Sequence, residues 1–318
     1  MKNLVKSLFL LFLTLPVLAQ ESVPAPENDA VRYVLEIPKG GLKNFLRWTP
    51  NRIPMISHHR GGPAPGYPEN AIETMDNALK YGPGLMEIDV MQLKDGTLVL
   101  MHDDTLDRTT TGSGEAKKKN WEEIKELRLK DWNGLVTEFR VPTLKQALRW
   151  AKGRAILTLD IKRGTDFDKV VKEVVEAGAE DYTAAIAYTH QQALAFHTAA
   201  PDMPISISAR DVSEIKAIED SGIPSDRVIA WTGTRLLSPE HYMALHAKGW
   251  RVIVGTLGGR DTAIDKQIAA SGKNARYLEI FAMGADIIAT DRFWAVQQQI
   301  RNPNLFIFTK KMPSHALN

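Results

Sequence analysis

From Ile53 onward the chain alternates short apolar runs with longer stretches whose apolar residues recur at helical spacing. That alternation is the pattern of successive βα units around a parallel sheet. The short runs predict strands over 54–58, 86–90, 98–102, 156–161, 183–187, 205–208, 228–230, 251–254 and 287–289. These are nine candidates for an eightfold barrel, and 228–230, which no other run undercuts in length, is assigned to a loop extension. Helical spacing predicts helices over 69–81, 144–152, 166–177, 190–199, 212–221 and 239–247, with a long one near 263–283. The fold class expected is α/β, a (β/α)8 barrel.

Three segments fall outside this rhythm. Residues 20–50 carry Pro24, Pro26, Pro38, Gly40 and Gly41 with little periodicity, and read as an N-terminal arm or linker ahead of a barrel over 51–300. Residues 103–142 make an excursion longer than an ordinary βα connection, with a short helix near 121–127 and Lys117, Lys118 and Lys119 on a solvated face. Residues 301–318 form a C-terminal extension with no evident partner element.

Composition changes the picture at the N-terminus. The 318 residues are 44% hydrophobic and 25% charged, which excludes wholesale disorder and a polytopic membrane protein. Lys2 and Lys6 precede an uncharged apolar run over 8–19, the arrangement of a secretory signal peptide cut after Ala19. The run is shorter than the ~20 residues of a spanning helix, so no stable membrane anchor is expected after cleavage. Losing those two lysines from 40 basic residues leaves a mature chain in balance with its 38 acidic ones. A neutral surface offers no track for nucleic acid. The absence of cysteine excludes disulfides, thiolate metal sites and a cysteine nucleophile. A periplasmic or secreted protein is expected.

Candidate chemistry lies at the strand ends. In a strand over 86–90, Glu87 and Asp89 share one face while Met86, Ile88 and Val90 share the other. Two carboxylates on a buried face repel unless a cation lies between them, and a hard divalent ion suits oxygen donors. Thr158, Asp160 and Lys162 likewise share a face, opposite Leu157, Leu159 and Ile161. Asp160 is therefore a third candidate ligand, with Lys162 facing an anion. His58, His59 and Arg60 follow one strand and His102 ends another, which suits an acid–base pair with a guanidinium for an oxyanion. Alternation at a strand terminus leaves open which of His58 and His59 points inward.

These residues fall in an order that resembles the glycerophosphodiester phosphodiesterases. The segments are His59-Arg60-Gly61, Pro68-Glu69-Asn70, Glu87-Ile88-Asp89-Val90, Lys94-Asp95-Gly96, His102-Asp103, Asp107-Arg108-Thr109-Thr110 and Gly112-Ser113-Gly114. Val141-Pro142-Thr143-Leu144, Leu159-Asp160-Ile161-Lys162 and the run from Gly284 to Asp291 continue it over roughly 54–295. The resemblance implies a single TIM barrel of the phospholipase-C-like phosphodiesterase type. It implies hydrolysis of a glycerophosphodiester, such as glycerophosphocholine or glycerophosphoethanolamine, to glycerol 3-phosphate and an alcohol with one divalent cation, Mg2+ or Ca2+. Carried over by position, His59 and His102 resemble the catalytic pair, which selects His59 over His58. Arg60 resembles a phosphate ligand, Glu69 a support for the first histidine or the metal, and Glu87, Asp89 and Asp160 the metal ligands, while Lys162 stays a candidate substrate-binding residue on the strand-face reading alone.

The chain departs from the family pattern in three places. The third ligand is usually a glutamate, and here is Asp160, one methylene shorter. A Trp-Thr-Val-Asn run usual after the seventh strand is replaced by Gly255-Thr256-Leu257-Gly258, which is expected to enlarge or reshape that side of the pocket. The usual Ser-Phe-Asp after the fifth strand is Ala187-Tyr188-Thr189. Alternative readings are a related barrel enzyme acting on a phospholipid, lysophospholipid or envelope glycerophosphate polymer, and a non-catalytic periplasmic binding protein.

Overall fold

The computed structural model describes residues 22–300 and 309–313; the leader expected over residues 1–19 lies outside them. The arm holds β1 (Val31–Leu35) and α1 (Leu42–Leu46), followed by β2 (Met55–His58), α2 (Ile72–Ala78), β3 (Leu85–Gln92) and β4 (Leu98–Leu100). The excursion holds α3 (Trp121–Ile124) and the hairpin β5 (Arg128–Lys130) and β6 (Val136–Arg140), ahead of α4 (Leu144–Ala151). Strand and helix then alternate through β7 (Ile156–Ile161), α5 (Phe167–Glu176), β8 (Thr183–Ala187), α6 (His190–Ala199), β9 (Ile205–Ser208) and α7 (Val212–Asp220). The series continues with β10 (Val228–Trp231), α8 (Pro239–His246), β11 (Arg251–Gly255), α9 (Ile264–Ser271), α10 (Arg276–Met283), β12 (Ile287–Thr290), α11 (Phe293–Ile300) and β13 (Thr309–Pro313).

Strands β2, β3, β7, β8, β9, β10, β11 and β12 pair in parallel in that order, and β12 returns to β2. The fold is the expected (β/α)8 barrel, but two strands exchange roles. The run 228–230, expected to be a loop extension, is barrel strand β10, held by hydrogen bonds from β9 on one side and β11 on the other. The run 98–102, expected in the barrel, is β4, which lies antiparallel against the far end of β3. A short apolar run bonded on both sides is as good a barrel strand as a long one, and run length does not report the direction of pairing.

The helices adjust at glycine and asparagine. The helix expected over 263–283 breaks into α9 and α10 at Gly272, whose φ of +66° ends α9 in the left-handed region. The one expected over 69–81 starts only at Ile72, because Asn70 at φ +59° turns Glu69 and itself away from the helix. Helix α11 was not expected.

Alternation along the strands sorts two cores. Leu85, Ile156, Ile229, Ile253 and Ile287 fill the barrel interior, whereas Met86, Ile88, Leu157 and Leu159 pack outward against the helices. The arm is not a bare linker, since Leu35, Leu42 and Leu46 join the interior cluster and plug the barrel base. Nor is the C-terminal extension without a partner, because β13 pairs antiparallel with β1 from Val31↔Pro313 to Leu35↔Thr309. No helix among the described residues is long and apolar enough to cross a membrane.

Candidate active site

The site sits where the strands end. Glu87 and Asp89 both point inward from β3, and Asp89 is in register with Asp160 of β7. One oxygen from each of Glu87, Asp89 and Asp160 lies within 4.8 Å of the others. Asp160 therefore reaches the cluster despite its shorter side chain. Lys162 spans two of these groups, with Nζ 2.6 Å from Asp89 and 2.7 Å from Asp160. Burial alone would lower the pKa of Lys162, but the charges of Asp89 and Asp160 outweigh it and raise it. Asn70 fixes Asp89 further, donating from Nδ2 at 2.7 Å and accepting from the Asp89 amide at 2.9 Å.

Glu87 is the exposed flank of this cluster in electrostatic terms. Burial, and then the charge of Asp89, push its pKa up to about 8. Among the described residues it has no ion-pair partner, and its Oε2 accepts only the Arg60 amide at 2.7 Å. A buried carboxylate pair that needs a further positive charge, with oxygen donors alone, matches what a hard divalent cation requires.

His59 lies on the cavity and His58 does not. His58 is fully buried against Phe293, with Nδ1 donating to the Leu85 carbonyl at 3.0 Å. Burial pushes its pKa down to about 4, so it is a neutral core residue. His59 donates from Nδ1 to Asp291 at 2.6 Å. Burial disfavours its charged form, and the Asp291 hydrogen bond with the charges of Glu87 and Asp291 outweighs that, so its pKa is raised. The other Asp291 oxygen accepts the Gly258 amide at 2.9 Å. His102 repeats the arrangement, donating from Nδ1 to Asp103 at 2.8 Å. Its place follows from β4, because the chain after Leu100 bonds back through the Met101 amide to the Asp89 carbonyl. Both imidazoles thus keep a proton on Nδ1 and leave Nε2 for chemistry.

Arg60 occupies the left-handed region at φ +52°, held there by its amide on Glu87 and its carbonyl under the Asn70 amide. Its Nη1 bonds both Glu69 oxygens at 3.0 Å, while its Nε is buried without a hydrogen-bond partner. That Nε faces Asp89 Oδ2 at 3.9 Å, beyond hydrogen-bond reach, so the guanidinium keeps a donor suited to an incoming oxyanion. Glu69 does not touch His59. It lies between Arg60 and Arg108, and Arg108 bonds it at 2.8 Å through both terminal nitrogens. Arg108 also grips Asp103, which holds that carboxyl well below the usual range, so Glu69 connects Arg60 to the His102 support.

Asp291, Asp103, Arg108 and Tyr188 were not expected as site residues. Asp291 had a readable signal, since Ile287, Ala289 and Asp291 share the inward face of β12 and its extension. Tyr188, half-exposed at the cavity beside Asp160, has its phenol pKa raised by partial burial together with that carboxylate. A cavity of about 140 Å3 opens beside His59, Glu87 and Asp160. On its side nearest Gly255 the wall is formed by Trp231 from β10.

Comparison with known proteins agrees with this geometry. The model of the Glycerophosphoryl diester phosphodiesterase family matches residues 59–292. A glycerophosphodiester phosphodiesterase of Caldanaerobacter subterraneus is 31% identical over 48% of this chain and 65% of its own length. A putative one of Bacillus subtilis is 39% identical over 34% of this chain and 44% of its own. The chain thus spans less than two thirds of these curated relatives. A crystal structure of a glycerophosphoryl diester phosphodiesterase from Parabacteroides distasonis is 33% identical, with a TM-score of 0.81 over 88% of this chain and 100% of that one. Because the family match begins at His59 and ends one residue past Asp291, it takes in the whole site, and the chain belongs to the glycerophosphoryl diester phosphodiesterase family of phosphoric diester hydrolases.

Proposed function

We propose that the protein hydrolyses a small-molecule glycerophosphodiester, such as glycerophosphocholine or glycerophosphoethanolamine, to glycerol 3-phosphate and an alcohol. The observation that carries this reading is the gathering of three carboxylates within 4.8 Å, beside an Arg60 Nε that makes no hydrogen bond and two carboxylate-oriented histidines. Glu87, Asp89 and Asp160 would hold one divalent cation, Mg2+ or Ca2+. That ion supplies Lewis acidity and charge neutralisation at a phosphate oxygen.

The remaining work falls to the chain's own groups. Arg60 Nε and Lys162 Nζ present fixed positive charge to the phosphate, within a site where little water screens it. One of His59 and His102 takes the attacking proton on Nε2, and the other gives a proton to the leaving oxygen. Asp291 and Asp103 hold the rings in the required tautomer and stabilise the imidazolium that forms on whichever accepts a proton. Glu69 holds Arg60 through Nη1 and leaves its Nε without a hydrogen bond.

The basic, then apolar, start of the chain extends the proposal to export, with a mature protein beginning at Gln20 in the periplasm or outside the cell. The test is an assay of the mature protein on soluble glycerophosphodiesters with Mg2+, Ca2+ or chelator. Cation-dependent release of glycerol 3-phosphate, abolished by His59→Ala and by His102→Ala, is expected. Turnover of long-chain lysophospholipids alone would overturn the substrate assignment, and activity unaffected by either histidine variant would overturn the mechanism.

A further inference from the structure

Trp231 stands at the carboxyl end of β10, in register with Ser208 of β9 and Ile253 of β11, so the barrel fixes its position at the mouth. Its ring reaches across to β11. A Cβ placed on Gly255 would lie 2.6 Å from the far edge of the indole, closer than side chains approach. Gly255 is not among the glycines with positive φ, so its backbone does not call for glycine. What the position requires is room for the ring of Trp231.

With Ile253 and Leu257 this indole makes one apolar wall of the 140 Å3 cavity. The floor is different in character. Ser57, Thr158 and Ser206 line it, and the Thr158 hydroxyl is buried with no hydrogen-bond partner. A buried hydroxyl without a partner is costly unless a ligand or water meets it. The cavity therefore offers a C–H-binding face on one side and hydroxyls on the other, in a space of the size of a short polyol.

Building on the phosphodiesterase reading above, we propose that Trp231 is a specificity-determining residue. Its indole, received by Gly255, selects a compact hydroxyl-bearing half of the diester, the glycerol unit, and excludes bulkier or acylated alcohols from that side. The aromatic wall is thus supplied from β10, and β11 carries glycine to accommodate it.

The test compares wild type, Trp231→Ala and Trp231→Phe on glycerophosphoethanolamine, on 4-nitrophenyl methyl phosphate, which lacks the polyol half, and on a lysophospholipid. Apolar pocket contacts discriminate by about 10- to 200-fold. Trp231→Ala is expected to raise KM for glycerophosphoethanolamine within that range, to lose several-fold less on the methyl aryl diester, and to gain lysophospholipid turnover. Trp231→Phe should stay near wild type. Gly255→Ala should harm glycerophosphoethanolamine turnover more in the wild-type background than in Trp231→Ala, the non-additivity of two groups in contact. Equal losses on both diesters at an unchanged melting temperature, or no loss on either, would overturn the proposal. Wild-type turnover of the aryl diester with none of glycerophosphoethanolamine would overturn the substrate reading on which it rests.

Discussion

Replacing Asp291 by Asn tests how far the site depends on a group that never meets the phosphate. In the wild type both Asp291 oxygens accept, one from His59 Nδ1 at 2.6 Å and the other from the Gly258 amide at 2.9 Å. An asparagine has a single acceptor oxygen, so one donor must face the amide NH2. Either His59 loses its orientation or the loop at Gly258 loses its anchor. A hydrogen bond to a charged partner contributes roughly 1.5 to 3 kcal/mol, which corresponds to about 10- to 150-fold in rate if the loss falls on the transition state. The pH profile carries a second signature. The Asp291 bond and charge raise the His59 pKa against its burial, so removing them moves the limb governed by His59 to lower pH. Steady-state kinetics on a soluble diester from pH 5 to 9, with a melting curve to establish folding, measure both effects. A variant that melts normally, loses less than about threefold in kcat and keeps its pH limbs would refute the role given to Asp291.

Three further outcomes follow from the same geometry. Metal-free Glu87→Gln is expected to melt above the metal-free wild type at pH 8, because a raised carboxyl pKa means the native state loses stability as that proton leaves. Added Mg2+ or Ca2+ should raise the melting temperature of the wild type but not of the variant, and equal shifts in both would count against Glu87 as a ligand. His58, held down to about 4 in the fold, contributes stability above its unfolded pKa near 6.5, and this is lost as pH falls toward 4. The loss amounts to about 3 kcal/mol at most, so in urea titrations His58→Leu should show a flatter decline over that window than the wild type. Leu46→Ala, which hollows the base plug, is expected to cost about 2 to 5 kcal/mol in chemical denaturation with kcat unchanged, since the mouth lies at the opposite end.

What was legible in the chain follows from period. A strand's twofold repeat is enough to place Glu87 with Asp89, and Thr158 with Asp160 and Lys162, and the register of β3 with β7 bears this out. Where the repeat stops, so does the information it carries. At His58 the strand passes into a turn that puts Arg60 at positive φ, and only the family resemblance separated His59 from its neighbour. Asp103 and Arg108 act through a loop, and the bonds from Arg108 to Glu69 span 39 positions with no periodic trace. Trp231 was hidden by the shortness of its strand. The arm and C-terminal extension looked featureless because, among the described residues, each finds its sheet partner in the other.

That last pairing sets an order of assembly. β1 has no strand to bond until β13 has been synthesised, almost the whole chain later, and the joining of ends so distant has a large entropic cost. The eight barrel strands and the catalytic rim lie between them and can come together first. The pairing of the first and final strands of the described chain is then the last to form, as a clasp over a barrel whose catalytic rim is already assembled.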